Sequence, residues 1–278
     1  MPRFTTSDGL SLYYSDTGPG TAQPILCLPG LTRCSRDFEF YAQHAVGLRM
    51  IALDYRGRGQ SDYDPDYSNY NVPKESLDVI ELLDHLGLDK VTILGTSRGG
   101  LIAMVLAATH KDRVAGVILN DVGPVVGTEG IGRILTYVGK RPVSKTLDQA
   151  GAALKNAMEA EFPGVTLERW QAQAEIQYAM TPEGLELRYD PQLRTALMEQ
   201  IATGETPDLW PVFDALAGLP LGVIRGANSD VLETGTLTQM KERNPAMHIA
   251  IVPDRGHVPF LDEPEAVALI NQILEQAK

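Results

Sequence analysis

Cysteine is scarce in this sequence, since only Cys27 and Cys34 occur among its 278 residues. Their number and spacing indicate neither a disulfide framework nor a metal site. Cys27 lies within an apolar run, so it is interpreted as a small buried hydrophobic residue. A chain without a disulfide framework fits a reducing compartment, and we therefore expect a cytoplasmic location.

Positive charge and long apolar stretches are also limited. The 24 Lys and Arg residues are outnumbered by 36 Asp and Glu, which gives a net charge of −12. Because nucleic acids and anionic membranes attract basic surfaces, neither is an expected partner. The apolar stretches are shorter than the roughly 20 residues of a membrane-spanning helix, and residues 1–5 lack the apolar segment of a signal peptide. A small molecule is the expected partner, and the oligomeric state is left open.

Short apolar segments alternate with helical segments through most of the chain. Apolar residues recur at helical spacing in the helical segments, as they do between Glu75 and Leu86. This alternation is typical of a mostly parallel sheet that is covered by helices on both faces. The predicted strands cover residues 3–7, 10–16, 24–28, 49–54, 90–94, 114–119, 221–225 and 248–252.

The strand–helix alternation is interrupted between the sixth and seventh predicted strands. Residues 125–210 contain no strand pattern, and we interpret them as a helical cap that is inserted into the core domain. The core then consists of residues 1–124 and 211–278. The helices predicted in the cap cover residues 131–138, 145–162, 167–180 and 191–202.

The segment 91–101, VTILGTSRGGL, carries the strongest functional signal. An apolar strand leads directly into Gly95-Thr-Ser97-Arg-Gly99, and an apolar helical segment follows at once. This pattern is typical of a nucleophile elbow, which holds a serine on a tight turn between a strand and a helix. The flanking glycines allow the backbone segments on either side of the turn to come very close. Ser97 is therefore the predicted nucleophile.

A serine nucleophile needs a base, and His257 has the appropriate position for one. It follows Gly256 in the loop after the last predicted strand, and ligand sites of parallel sheets form at such strand ends. The other four histidines lie in or beside predicted helices or open a strand, and they are His44, His85, His110 and His248.

Two aspartates follow predicted strands and could orient the imidazole. Asp230 follows the seventh strand and gives the chain order Ser97, Asp230, His257, which is typical of serine hydrolases with such an elbow. Because a helical stretch begins just after Asp230, this residue could instead cap a helix. Asp121 follows the sixth strand and is the alternative acid. Asp230 is preferred on chain order.

Five segments together resemble the α/β-hydrolase fold family, in its cap-bearing branch of serine esterases and lactonases. The resemblance implies an eight-stranded, mostly parallel sheet with a helical cap after the sixth strand. It also implies an oxyanion hole that is formed by the backbone N–H groups of Leu31 and Arg98. In chain order the segments are PGLTR (29–33), DYRGRGQSD (54–62), GTSRG (95–99), GANSD (226–230) and DRGHVPFLDEPE (254–265).

Two positions depart from the family pattern. The first loop reads Pro29-Gly30 where the family usually has His-Gly, and Arg98 occupies a position that is commonly apolar. The Arg98 guanidinium could point into the pocket and bind a carboxylate, or it could lie along the helix in solvent or in a buried pair. Arg33 and Arg36 border the first loop, and their guanidinium groups could likewise point into the pocket or away from it.

The resemblance implies hydrolysis of a carboxylic ester or lactone through an acyl-enzyme, with no metal and no organic cofactor. Carbon–carbon bond hydrolysis and cofactor-free perhydrolysis use the same triad and remain alternatives, as does a ligand-binding protein without turnover. A serine at the elbow argues against the dehalogenases and epoxide hydrolases of this fold, which use an aspartate. The expected substrate-binding residues are Arg33, Trp170 and Tyr178, and Met180 and Met198 are further cap residues that could line the pocket.

Overall fold

The computed structural model describes residues 2–19, 24–204 and 207–278. Residues 1 and 20–23, which belong to the predicted core, and residues 205–206, which belong to the predicted cap, lie outside the described residues. The strands are β1 (Arg3–Thr5), β2 (Ser11–Thr17), β3 (Ile25–Leu28), β4 (Met50–Leu53), β5 (Val91–Thr96), β6 (Val114–Asn120), β7 (Tyr178–Thr181), β8 (Gly184–Leu187), β9 (Leu221–Gly226) and β10 (His248–Val252). The helices are α1 (Glu39–Ala42), α2 (Val72–His85), α3 (Arg98–Thr109), α4 (Thr128–Tyr137), α5 (Leu147–Met158), α6 (Leu167–Gln177), α7 (Leu193–Ala202), α8 (Trp210–Asp214), α9 (Thr234–Arg243) and α10 (Pro264–Gln276).

Eight of these strands form one sheet in the order β1-β2-β4-β3-β5-β6-β9-β10. Strand β2 pairs antiparallel with β1 and β4, and the other pairs are parallel. The predicted eight-stranded, mostly parallel sheet is therefore confirmed. The carboxyl ends of the parallel strands meet along one edge, where the loops that follow β3, β5, β6, β9 and β10 come together.

Apolar layers cover both faces of the sheet. Successive residues of a strand point to opposite faces, so Leu26 packs with α2 and α3 while Cys27 packs with α10 and Phe38. Strands β3, β4, β5, β6 and β9 are buried along their whole length, as expected for the centre of a parallel sheet. Cys27 is fully buried, which confirms its interpretation as a core residue.

The segment between β6 and β9 is mainly helical, but it also contains strands that the sequence pattern did not reveal. The predicted helix over 167–180 ends at Gln177, and β7 pairs with β8 as an antiparallel hairpin. Pro182 lies in the turn, and the Thr181 hydroxyl donates to the Gly184 carbonyl at 3.0 Å. The prediction of an entirely helical segment is thus wrong at this point. The cap boundaries at 125 and 210 stay a prediction.

Among the described helices, none is both long enough and apolar enough to span a lipid bilayer.

Helix α3 packs unusually close to the sheet because its first turn contains two glycines. A Cβ atom on Gly99 would overlap the Leu28 carbonyl at the end of β3. A Cβ atom on Gly100 would overlap the Val122 side chain. Both residues are buried, so no solvent-filled space could absorb a larger side chain. The position of α3, and of the residue that precedes it, therefore depends on the absence of these side chains.

We expect Gly99→Ala to lower the free energy of unfolding by about 1–3 kcal/mol, because the added methyl group forces α3 away from β3. Gly132→Ala is the matched control, since Gly132 lies within α4 and a Cβ atom added there would have no neighbour within 4 Å. It is expected to leave stability unchanged or raise it by up to about 1 kcal/mol. Urea unfolding measures both variants. Equal stability of the two would contradict the close packing described here.

Candidate active site

Ser97 lies at the turn between β5 and α3, in a strained backbone conformation. Its φ of 51° and ψ of −113° are unusual for a residue with a side chain, and the Ser97 N–H donates to the Asn120 carbonyl at 3.0 Å. A Cβ atom on Gly95 would come within 2.5 Å of the Gly99 carbonyl carbon, so the turn closes only around glycine. This geometry is that of the predicted nucleophile elbow.

His257 links the serine to a carboxylate. Its Nε2 atom is 3.1 Å from Ser97 Oγ, and its Nδ1 atom is 2.8 Å from Asp121 Oδ2. A carboxylate accepts hydrogen bonds only, so Nδ1 carries a proton, and in the neutral ring Nε2 is then free to accept the proton of the hydroxyl. The predicted nucleophile and base are therefore brought together, with Asp121 behind them.

Asp121 is held firmly at the end of β6. Its carboxylate is fully buried, Oδ1 accepts from the Gly226 N–H at 2.9 Å, and Oδ2 accepts from the Ser229 hydroxyl at 2.6 Å. Its own N–H donates to the Ile224 carbonyl at 2.8 Å. These donors stabilise the charged carboxylate and fix its direction toward the imidazole.

Asp230 does not contact His257, and the sequence-based preference for it is contradicted by this geometry. Its carboxylate pairs with Arg133 of α4 at 2.6 Å, and Arg133 also pairs with Glu161. The neighbouring Ser229 faces Asp121 instead. Asp230 is turned toward α4 of the inserted segment. Both aspartates follow fully buried strands, so chain order alone was not a sufficient guide to the acid.

The expected oxyanion-hole donors, Leu31 and Arg98, lie on two turns that border Ser97. A Cβ atom on Gly30 would lie 3.8 Å from Ser97 Cβ, so the first loop passes directly beside the nucleophile. The Gly30 carbonyl accepts from the Arg33 N–H at 3.1 Å. Because the peptide group is planar and trans, the Leu31 N–H points away from that contact.

Both N–H groups are available to a ligand. Arg98 is the first residue of α3, where an N–H has no carbonyl one turn earlier to bind. Across the described ranges, neither the Leu31 N–H nor the Arg98 N–H donates to another group of the chain. Their role as oxyanion donors stays a prediction.

The Arg98 side chain points away from the cleft. Its Nε atom donates to Glu75 of α2, which is completely buried and lies close to Arg58 as well. Of the two orientations considered for Arg98, the structure has the buried pair. The Arg98 guanidinium therefore pairs with Glu75, and only the backbone of Arg98 borders Ser97.

A small cleft opens beside His257. Arg33 and Trp170 line it, as expected from the sequence, and Trp170 packs against Phe162 and Phe260 with ring centroids 5.5 and 5.7 Å away. Tyr178 does not line this cleft and packs with residues of α5, α6 and β8. The sulfur-containing cap residues Met180 and Met198 are 60% and 44% exposed, and neither lines the cleft.

Arg33 is a cation that lines the cleft, and its ion pair with Asp37 is long. Its Nη1 atom is 3.4 Å from Asp37 Oδ1. With the Gln177 amide turned so that its oxygen faces Arg33, that oxygen accepts from Nη1 at 2.7 Å. Burial raises the pKa of Asp37 while Arg33 and Gln173 oppose the rise. Arg36 is committed elsewhere, to Glu39 at 2.7 Å.

No group of three or more potential His, Cys, Asp or Glu metal ligands occurs within the described parts of the chain.

Comparisons with known proteins indicate one fold family. A family model described as the alpha/beta hydrolase fold matches residues 23–264. A 3-hydroxybutyrate-oligomer hydrolase from Cupriavidus necator is 36% identical over 95% of this chain and 92% of that protein. A putative 2-succinyl-6-hydroxy-2,4-cyclohexadiene-1-carboxylate synthase from Bacillus subtilis is 25% identical over 94% and 93%. An alpha/beta hydrolase structure from Novosphingobium aromaticivorans matches with a TM-score of 0.90 and 39% identity, covering 99% of this chain and 97% of that chain.

Asp121→Asn should lower kcat by about 10⁴-fold. The asparagine oxygen would still accept from the Gly226 N–H, and its NH₂ group would then face the protonated Nδ1 of His257, which favours the wrong tautomer. Asp230→Asn removes only the pair with Arg133 and should reduce kcat far less. Steady-state kinetics on an aryl ester compares the two variants, with circular dichroism as the folding control. A larger loss in Asp230→Asn would return the acid role to that residue.

Proposed function

The chain belongs to the α/β-hydrolase fold family, and we propose that it is a serine hydrolase that cleaves a carboxylic ester or lactone. One observation carries this proposal, namely that His257 lies 3.1 Å from Ser97 Oγ and 2.8 Å from Asp121 Oδ2. A serine hydroxyl is a poor nucleophile at neutral pH, and it becomes effective when a base with a fixed tautomer accepts its proton.

In the proposed reaction Ser97 Oγ attacks the carbonyl carbon while His257 Nε2 accepts the hydroxyl proton. The negative charge that develops on the carbonyl oxygen is stabilised by the N–H groups of Leu31 and Arg98, each worth about 2.7–4 kcal/mol in the transition state. His257 then gives its proton to the leaving alkoxide, and an acyl-enzyme is formed. Water, activated by the same imidazole, releases the acid. Asp121 stabilises the imidazolium throughout.

The proposed substrate class is an ester whose alcohol part carries a free carboxylate. The relative from Cupriavidus necator is named for hydrolysis of 3-hydroxybutyrate oligomers, and such chains are joined by ester bonds and end in a carboxylate. Arg33 places a positive charge in the cleft beside His257, and its 3.4 Å contact with Asp37 is long for an ion pair. A substrate carboxylate could therefore compete for the guanidinium.

Ser97→Ala should lower kcat by about 10⁶-fold, because the nucleophile is lost, and should abolish covalent labelling by a fluorophosphonate. Ser76→Ala is the matched control, since the Ser76 hydroxyl binds the Val72 carbonyl within α2. That variant should be labelled like the wild type. Mass spectrometry locates the label, and p-nitrophenyl acetate reports the burst of acyl-enzyme formation. A folded wild-type protein that shows neither label nor burst would refute the hydrolase proposal.

The same triad could catalyse carbon–carbon bond hydrolysis or perhydrolysis. Both reactions can be assayed beside ester hydrolysis. A vinylogous diketone is the substrate for carbon–carbon bond hydrolysis, and acetate with hydrogen peroxide is the substrate pair for perhydrolysis. Activity on either one that exceeds ester hydrolysis would replace the ester proposal, whereas labelling of Ser97 would be retained in both cases.

Arg33→Met should raise KM about 10-fold or more for a 3-hydroxybutyrate dimer, because a charge-assisted hydrogen bond to its carboxylate is lost. The methyl ester of the same dimer lacks that charge, so its KM should not change. Arg36→Met is the control, since Arg36 pairs with Glu39 outside the cleft. An equal effect of Arg33→Met on both substrates would exclude the carboxylate contact.

A further inference from the structure

The turn that carries Leu31 is braced although it lacks the histidine found in the family pattern. The Tyr55 hydroxyl donates to the Pro29 carbonyl at 3.2 Å, and Arg58 Nε donates to the Leu31 carbonyl at 3.0 Å. Together with the Gly30 carbonyl bound by Arg33, all three consecutive carbonyls of the turn are held. The direction of the Leu31 N–H is therefore fixed from both sides.

Arg58 connects this turn to a buried carboxylate. Its guanidinium is completely buried, with Tyr55 and Tyr70 ring centroids 5.7 and 5.3 Å from Cζ. Its Nη1 atom lies 2.8 Å from Glu75 Oε1 and also donates to the Arg56 carbonyl at 2.7 Å. The pair with Glu75 is thus a close ion pair, although Glu75 Oε1 accepts no hydrogen bond from the described residues.

The second oxygen of the same carboxylate holds the other half of the site. Glu75 Oε2 accepts from Arg98 Nε, and Arg98 carries the second expected oxyanion donor on its backbone. A continuous set of contacts therefore runs from the Leu31 carbonyl through Arg58 and Glu75 to Arg98. These last three residues, the buried ion cluster, have exposed fractions of 0%, 0% and 7%.

Burial of the charged groups in the buried ion cluster does not favour folding by itself. Two guanidinium groups share one buried carboxylate. Among the described residues, Nη2 of Arg58 and Nη2 of Arg98 have no hydrogen-bond partner. Burial lowers the pKa of Arg58, and Glu75 counteracts this effect. Apolar side chains of similar volume often stabilise such a position equally well or better, so the charges call for a reason other than stability.

We propose that Arg58 and Glu75 are positioning residues for the oxyanion hole. With the Arg98 side chain they fix the turn at Leu31 and the first turn of α3 relative to each other. This inference rests on the proposed serine hydrolase function. It gives the Arg98 side chain a positioning role, in addition to the oxyanion role proposed for the Arg98 N–H group.

Arg98→Met and Arg58→Met test the inference, because each leaves Glu75 with one arginine and therefore a neutral buried pair that permits folding. Each should lower kcat about 10- to 100-fold, less than the 10²- to 10³-fold loss on removal of an oxyanion donor. KM should not change. Affinity for a trifluoromethyl ketone, whose adduct carries an oxyanion, should fall by the same factor as kcat/KM. Arg98→Lys keeps the charge and should restore most of kcat.

Arg113→Met is the matched control, since it removes a partly exposed arginine that pairs with Asp84 at the end of α2. It should leave kcat and inhibitor affinity unchanged. A purely structural role predicts a different outcome, in which the melting temperature shifts, kcat stays the same and lysine does no better than methionine. Unchanged kcat and inhibitor affinity in both folded methionine variants would overturn the inference. If a methionine variant does not fold, Arg58→Gln and Arg98→Gln provide the same comparison, because glutamine also removes the guanidinium group.

Amide hydrogen exchange separates this inference from the proposed function. Exchange at the N–H groups of Arg33 and Gly100, which donate to the Gly30 and Ser97 carbonyls in the two turns, should accelerate in both methionine variants, and it is measured without substrate. A wild-type protein that neither hydrolyses esters nor reacts with a fluorophosphonate would refute the proposed function, and faster exchange in the variants would still support the positioning role. Unchanged exchange at both residues would overturn the positioning role, whatever the activity.

Discussion

The close approach of α3 to the ends of β3 and β5 is the contact on which the site depends. Glycines 95, 99 and 100 place no side chain of their own in that contact. Ser97 adopts a strained backbone conformation there, with a φ of 51°. The Gly30 turn then lies directly beside the serine, and α3 begins at the next residue, Arg98. A local packing constraint thus sets the distances among groups that are far apart in the sequence.

Local patterns predicted most of this architecture. The strands of the sheet, Ser97 and His257 could all be located because each is marked by a continuous apolar run or by glycines at a strand end. The choice between Asp121 and Asp230 could not be made in this way, since both follow strands and only the side-chain direction distinguishes them. Likewise, Glu75 is one of many acidic residues on amphipathic helices, and its burial depends on two arginines distant in sequence.

Arginines also join the cap segment to the core around the cleft. Arg169 of α6 pairs with Asp262 after β10, and its Cζ lies 3.8 Å from the centroid of the Phe40 ring. Arg133 of α4 forms a second connection through Asp230. These contacts combine charge with aromatic stacking, so they tie the wall of the cleft to the loops that carry His257 and Ser229. The shape of the cleft is therefore coupled to the loops that hold the triad.

The contact between Asp230 and Arg133 has an evolutionary consequence. Since Asp121 directly after β6 supplies the carboxylate that faces His257, Asp230 in the loop after β9 is free to pair with Arg133 of the inserted segment. Substitutions in α4 or at Asp230 would then change a contact between the inserted segment and the core, while the Gly226 N–H and the Ser229 hydroxyl continue to hold Asp121. In the proposed enzyme, different side chains attach the inserted segment and orient the imidazole, which leaves the former free to diverge while the latter are retained.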